Sequence, residues 1–137
     1  SFGPWIYQHD VDILNDKEIL VFNNNLDFDK KLVNGNNNII KYNFEDKKYT
    51  YPFKASFEQN DIRTRTEGRS EIILNNFLFI EETNYGRILI LNNKSEVIFN
   101  YINKYNNINY PLGWSRYLDR KNYKKIIEKI TSNECLP

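Results

Sequence analysis

Apolar residues fall in short runs along most of this chain, and Asn, Asp and Gly separate the runs. Asp10–Leu14 and Glu18–Asn23 flank Asn15-Asp16-Lys17. Ile39–Phe44 and Lys47–Phe53 flank Glu45-Asp46. Glu71–Leu74 and Phe77–Glu81 flank Asn75-Asn76, and Arg87–Leu91 and Glu96–Tyr101 flank Asn92-Asn93-Lys94. Each pair reads as a hairpin, because Asn tolerates the left-handed backbone that tight turns need. Asn24–Asn38 reads as a long exposed loop. Near the C-terminus the period changes. Tyr123, Ile126, Ile127 and Ile130 lie on one helical face and Lys121, Lys124, Lys125 and Lys129 on the other. This predicts a helix over Arg120–Thr131, capped by Asp119, packed across the sheet ends and followed by a frayed tail over Ser132–Pro137.

The second half of the pattern repeats the first. Gln8-His9-Asp10 has a counterpart in Gln59-Asn60-Asp61, Ile39–Tyr42 in Arg87–Ile90, and Lys47–Phe53 in Ser95–Tyr101, with an insertion near Arg63–Arg69. Four strands per repeat of about 40–50 residues is the pattern of propeller blades, although any antiparallel meander shares it. The predicted fold is mainly β: about two antiparallel four-stranded blade-like sheets over residues 1–118 (about 5–55 and 57–103), then a C-terminal α-helix and tail over 119–137. Two blades cannot close a propeller, which takes about 4–8. The expectation is therefore that further blades precede this segment or that copies of it self-associate. A chain without Met that begins Ser1-Phe2-Gly3-Pro4 reads as a cleaved or internal fragment.

Composition narrows the chemistry. The chain has 137 residues and a net charge of +1, which gives no field for a phosphate backbone, so nucleic acid is not a predicted partner. One Cys and one His leave no metal site of the Cys or multi-histidine kind, and no cofactor is predicted. No apolar run reaches the roughly 20 residues of a membrane span. The 22 Asn read first as the codon usage of an AT-rich genome, and the aromatics as core and strand formers.

One segment carries more information. Trp5-Ile6-Tyr7-Gln8-His9-Asp10-Val11-Asp12, followed by Ile19-Leu20-Val21-Phe22-Asn23-Asn24, resembles the arylsulfotransferase family. That family shows Gln-His-(Asp/Thr) at a strand start and then an apolar run ending Phe-Asp-Asn; here Asn23 replaces the Asp. Ser70–Ile80 and Gly86-Arg87-Ile88 resemble the next blade without its Gly-Asn turn, and Gly113-Trp114-Ser115-Arg116-Tyr117 resembles its Arg-x-x-Arg-Tyr ending loosely. The resemblance covers roughly residues 3–120 and implies the C-terminal third of a six-bladed propeller that moves a sulfuryl group between phenols. It also implies an exported or periplasmic setting and a small aryl sulfate or phenol as the ligand.

By that resemblance His9 is the nucleophile. An unperturbed imidazole is largely neutral at neutral pH and can attack sulfur, and a phenol with a pKa of ~10 is a tolerable leaving group. Asp10 or Asp12 could orient the ring, although Asp10 reads better as a turn residue. The transferring group spreads negative charge over its oxygens and needs cationic or N–H donors around it. Arg69, just before a predicted strand, is the candidate catalytic arginine; Arg63-x-Arg65 reads as a solvated pair. Gln8, Ser70, Trp114 and Arg116 are the candidates for substrate contacts. The plain alternatives stay open: His9 packed as a strand residue, a non-catalytic propeller fragment binding ligands or protein partners, and a structural sheet module.

Overall fold

The computed structural model describes residues 4–27, 29 and 32–132. The tail beyond Ser132 lies outside the described residues. The chain runs β1 (Gln8–Asn15), β2 (Glu18–Asn23), β3 (Leu26–Asp27), β4 (Leu32–Val33), β5 (Asn38–Asn43), β6 (Lys48–Thr50) and α1 (Lys54–Gln59). It continues with β7 (Arg69–Ile73), β8 (Phe77–Glu82), β9 (Arg87–Leu91), β10 (Val97–Ile102), β11 (Lys104–Tyr105), β12 (Ile108–Asn109) and α2 (Arg120–Thr131). It is a mainly β protein. One four-stranded sheet has the order β1-β2-β5-β6 and the other β10-β9-β8-β7, every neighbouring pair antiparallel. β3–β4 and β11–β12 are separate two-stranded ribbons.

The turn chemistry follows the sequence. Asn75 and Asn76 both take positive φ, 61° and 58°, between β7 and β8. Asn15 accepts the Lys17 N–H at 2.9 Å between β1 and β2, which closes that turn with a side chain instead. The predicted strand Lys47–Phe53 stops at Thr50. Pro52 cannot donate to a ladder, and Phe53 and Phe57, four apart, turn their rings to the core from a short helix that strand periodicity hides. Gln59-Asn60-Asp61 therefore sits at the end of α1 and is no counterpart of Gln8-His9-Asp10.

The apolar core lies between the sheets. Leu20, Phe22 and Ile39 of the first meet Leu78, Ile80, Leu89 and Leu91 of the second, with Phe57 and Ile62 closing the space. The register explains the choice, since Leu20 pairs with Asp12 and Phe22 with His9, so those four residues share one sheet face. The other face of the first sheet carries Val11, Val21 and Ile13. Val21 is buried there, but Ile13 is 82 % exposed. The apolar strand β10 is exposed along its whole length.

Two expectations are corrected. Residues 24–38 are not simply an exposed loop: Asn24 and Asn37 are fully buried and tie the segment to residues 64–67. Helix α2 has the predicted bounds, and Asp119 caps it by accepting the Asn122 N–H at 2.8 Å. It does not pack across the sheets; Tyr123, Ile126, Ile127 and Ile130 are all exposed.

This division sets a contrast measurable by chemical denaturation. Phe22→Ala should cost about 3–5 kcal/mol, as truncation of a buried ring does. Ile127→Ser should stay within about 0.5 kcal/mol of the parent, as exposed substitutions do. A large loss at Ile127 would mean that α2 is packed in solution.

Candidate functional site

The two sheets meet where β1 runs beside β7. At the start of β1 the chain bulges at Asp10, which takes φ 52° and drops out of the ladder between His9 and Val11. The bulge frees the Asp10 carboxylate, which accepts the Ser70 N–H of β7 at 3.0 Å. His9 keeps its place opposite Phe22, on the face turned toward the second sheet.

A pocket of about 330 Å³ opens at this seam. His9, Gly68, Arg69, Glu81 and Trp114 line it, together with Glu67, Thr83 and Gly113. Arg69 is only 2 % exposed. Its Nη1 donates to the Ser115 carbonyl at 2.7 Å, and its guanidinium lies 4.8 Å from the centre of the Trp114 ring. Its Nε is buried and has no protein partner. The Nδ1 of His9 is likewise buried and has no hydrogen-bond partner among the described residues. An unpaired buried polar atom costs free energy, and two of the side chains that line the pocket each carry one.

Glu81 faces Arg69 directly across the β7–β8 ladder and is 1 % exposed. It does not pair with Arg69. One carboxylate oxygen accepts the Thr83 hydroxyl at 2.8 Å and the other accepts the Ser115 N–H. The Ser115 peptide thus joins Glu81 on one side to Arg69 on the other, and this fixes the strap that carries Trp114. Gly68 forms the wall beside Arg69. Its φ is +117°, and an added Cβ would come within 2.4 Å of Thr64 Cγ2 and 2.9 Å of Phe22 Cε1.

Of the residues singled out in the sequence, His9, Arg69 and Trp114 converge on this pocket. Arg116 stands next to it, with its guanidinium 5.1 Å from the Trp114 ring centre. Ser70 is buried at the seam but does not line the pocket, and Gln8 is exposed outside it. Neither Asp10 nor Asp12 hydrogen-bonds to His9: Asp10 is engaged with Ser70. Arg63 pairs with Asp61 at 2.7 Å and Arg87 with Glu82, both away from the site. Glu67, Gly68 and Thr83 gave no sequence signal. Glu81 stands at the end of a predicted strand, but its place opposite Arg69 was not legible: a two-residue turn at Asn75-Asn76 would set Glu82 there, and the observed connection has three residues, Leu74–Asn76.

Asp12 lies near this cluster. Partial burial, then the neighbouring carboxylates of Asp10 and Glu71, push its carboxyl up from 3.8 to about 6, against the pull of Arg69 and Arg116. Among the described residues no group of three or more His, Cys, Asp and Glu side chains is arranged to hold a metal ion. No helix among them is long and apolar enough to cross a membrane.

Comparison with known proteins adds one finding. Residues 2–104 match the family model described as Arylsulfotransferase (ASST). No curated protein and no solved structure matches the chain.

Asp12 gives the site a pH signature. Its folded carboxyl holds a proton between about pH 4 and pH 6, where the unfolded carboxyl has lost it. The folded state binds more protons there, so this contribution to stability is present at low pH and lost as pH rises through about 6. Asp12→Asn should therefore stabilise the chain at pH 7.5, by about 1 kcal/mol after allowing for the solvent screening of a half-exposed group, and change nothing at pH 3.5. Urea titrations at the two pH values check this; an equal effect at both would remove the assigned cause.

Proposed function

The chain belongs to the arylsulfotransferase family, and from that premise we propose that its pocket transfers a sulfuryl group between phenols with His9 as nucleophile. The observation that supports the reading is that His9, whose buried Nδ1 has no partner among the described residues, and the buried Arg69, whose Nε has none, line one pocket.

In the proposed cycle an imidazole nitrogen attacks sulfur, an N–S bond forms, and the S–O bond breaks with its electron pair leaving on the phenolate. A second phenol then attacks the sulfur and loses its proton, and the N–S bond breaks to regenerate the imidazole. Arg69 supplies positive charge where the sulfuryl oxygens gather it, held in place by the Ser115 carbonyl and the Trp114 ring. Neither step needs a metal or a nucleotide-activated donor.

The two sheets are, on this reading, two blades of a propeller. β1 and β7, edge strands that run beside each other, would then be innermost and β6 and β10 at the rim. The exposed Ile13 face and the apolar rim strand β10 suit contact with further blades, in the same polypeptide or in another copy. Other blades would add cationic groups around the sulfuryl oxygens, so the 137-residue chain alone should be slow.

The test is incubation of the chain with 4-nitrophenyl sulfate. The expected result is slow nitrophenolate release with a sulfuryl label on His9, none in His9→Ala, and a rate about 10²–10³ lower in Arg69→Gln. A label on another residue, or release that survives His9→Ala, contradicts the assignment. Light scattering tests the blade reading separately. Uncovered blade faces should make the chain associate at tens of micromolar, and a monodisperse 16.5 kDa particle would contradict it.

A further inference from the structure

The cation and carboxylates around this pocket do not balance. Arg69 is the cationic side chain in its wall, and Glu67 and Glu81 stand against it. Both oxygens of Glu81 accept hydrogen bonds, from the Thr83 hydroxyl and from the Ser115 N–H, and a backbone N–H can only donate. Glu81 is almost fully withdrawn from water and makes no ion pair with the arginine opposite it. Glu67 is exposed at the pocket and takes positive φ, 56°, in the turn before Gly68. Beyond the wall Arg116 supplies a second cation, but Asp10, Asp12 and Glu71 stand in the same neighbourhood.

A ligand whose single negative charge is met by Arg69 must therefore fit the rest of its body into a negative field. Any second anionic group on the ring would face like charge with no free cation in the wall, which is a discrimination built on repulsion. A cationic group would instead gain a carboxylate partner. We infer that Glu81 and Glu67 make this pocket selective among aryl sulfates, favouring phenols with a cationic or neutral ring substituent and rejecting those that carry a second anion. This rests on the sulfuryl-transfer reading for the sulfate end of the ligand; the carboxylate wall acts on the other end.

Three probes of similar shape separate the effects, with binding to the full chain followed by calorimetry and by the Trp114 and His9 resonances. They are the O-sulfate of tyramine, 4-ethylphenyl sulfate, and the O-sulfate of 3-(4-hydroxyphenyl)propanoate. The amine should bind about ten-fold more tightly than the ethyl compound, and the acid about ten-fold more weakly, with the spread shrinking in high salt. Glu67→Gln, at an exposed position, should narrow the spread without unfolding the chain. Glu81→Gln should narrow it further, with its folding checked by the dispersion of core methyl resonances. The unsulfated parents, tyramine and 3-(4-hydroxyphenyl)propanoate, separate this inference from the reading it rests on. If no sulfated probe binds but tyramine still perturbs the Trp114 resonance more than the acid does, the sulfuryl site fails and the carboxylate wall stands. Equal responses to amine and acid, or none from either class, overturn the inference.

Discussion

The hydrogen bond from the Ser70 N–H to the Asp10 carboxylate joins the two sheets at the seam where the pocket opens. It exists because β1 bulges at Asp10, and the bulge lets His9 stay in register on the inner face while its neighbour reaches across to β7. Asp10 is the residue that an orienting role for His9 would have used. It is spent instead on joining strands, and the imidazole Nδ1 is left without a partner among the described residues. The same seam places Arg69, one residue before Ser70, in the wall of the pocket that His9 also lines. A charge-assisted bond to a backbone N–H is among the stronger contacts a small β protein can make.

Around that seam, polar burial does as much as apolar burial. Asn24 and Asn37 hold the segment Thr64–Glu67 through its carbonyls, and Thr64 donates its N–H back to Asn37. Gly68 then passes between Thr64 and Phe22 with no room for a side chain. The wall of the pocket is thus keyed to the core through Phe22, and changes in packing there would be felt at Arg69. On the other side Glu81 and Ser115 fix the strap that carries Trp114. The site is assembled from main chain held by buried side chains, and few of its contacts join one functional side chain to another.

Much of this was legible in the sequence. Strand periodicity with Asn turns located the eight sheet strands to within a few residues, because each turn has a local cause that side chains announce. The helix Arg120–Thr131 was read from its Ile face and its Asp119 cap, both local features. Whether that face packs was not legible, since amphipathicity tells which side seeks burial and not whether a partner is within reach. Helix α1 was hidden because six residues are too short for a period to show, and because Tyr49, Tyr51 and Phe53 alternate like a strand. His9 and Arg69 were found, one by resemblance and one by its position before a strand. Gly68 and Glu67 were not, because their roles come from contacts with Phe22 and Asn24, more than 40 residues away. The buried asparagines were read as loop and codon bias; only the tertiary fold gives their amides carbonyls to hold.

The central claim is that His9 and Arg69 receive one sulfuryl group between them. The most direct measurement is a crystal structure of the chain with an aryl sulfonate, which has the shape and charge of an aryl sulfate but no S–O bond to the ring to break. The account predicts the sulfonate in the pocket at the β1–β7 seam, with an oxygen accepting from Arg69 Nε, the sulfur facing the His9 ring, and the aryl group leading away past Trp114. A sulfonate bound elsewhere on the chain, or a His9 imidazole turned to a main-chain partner while the ligand is present, would contradict it.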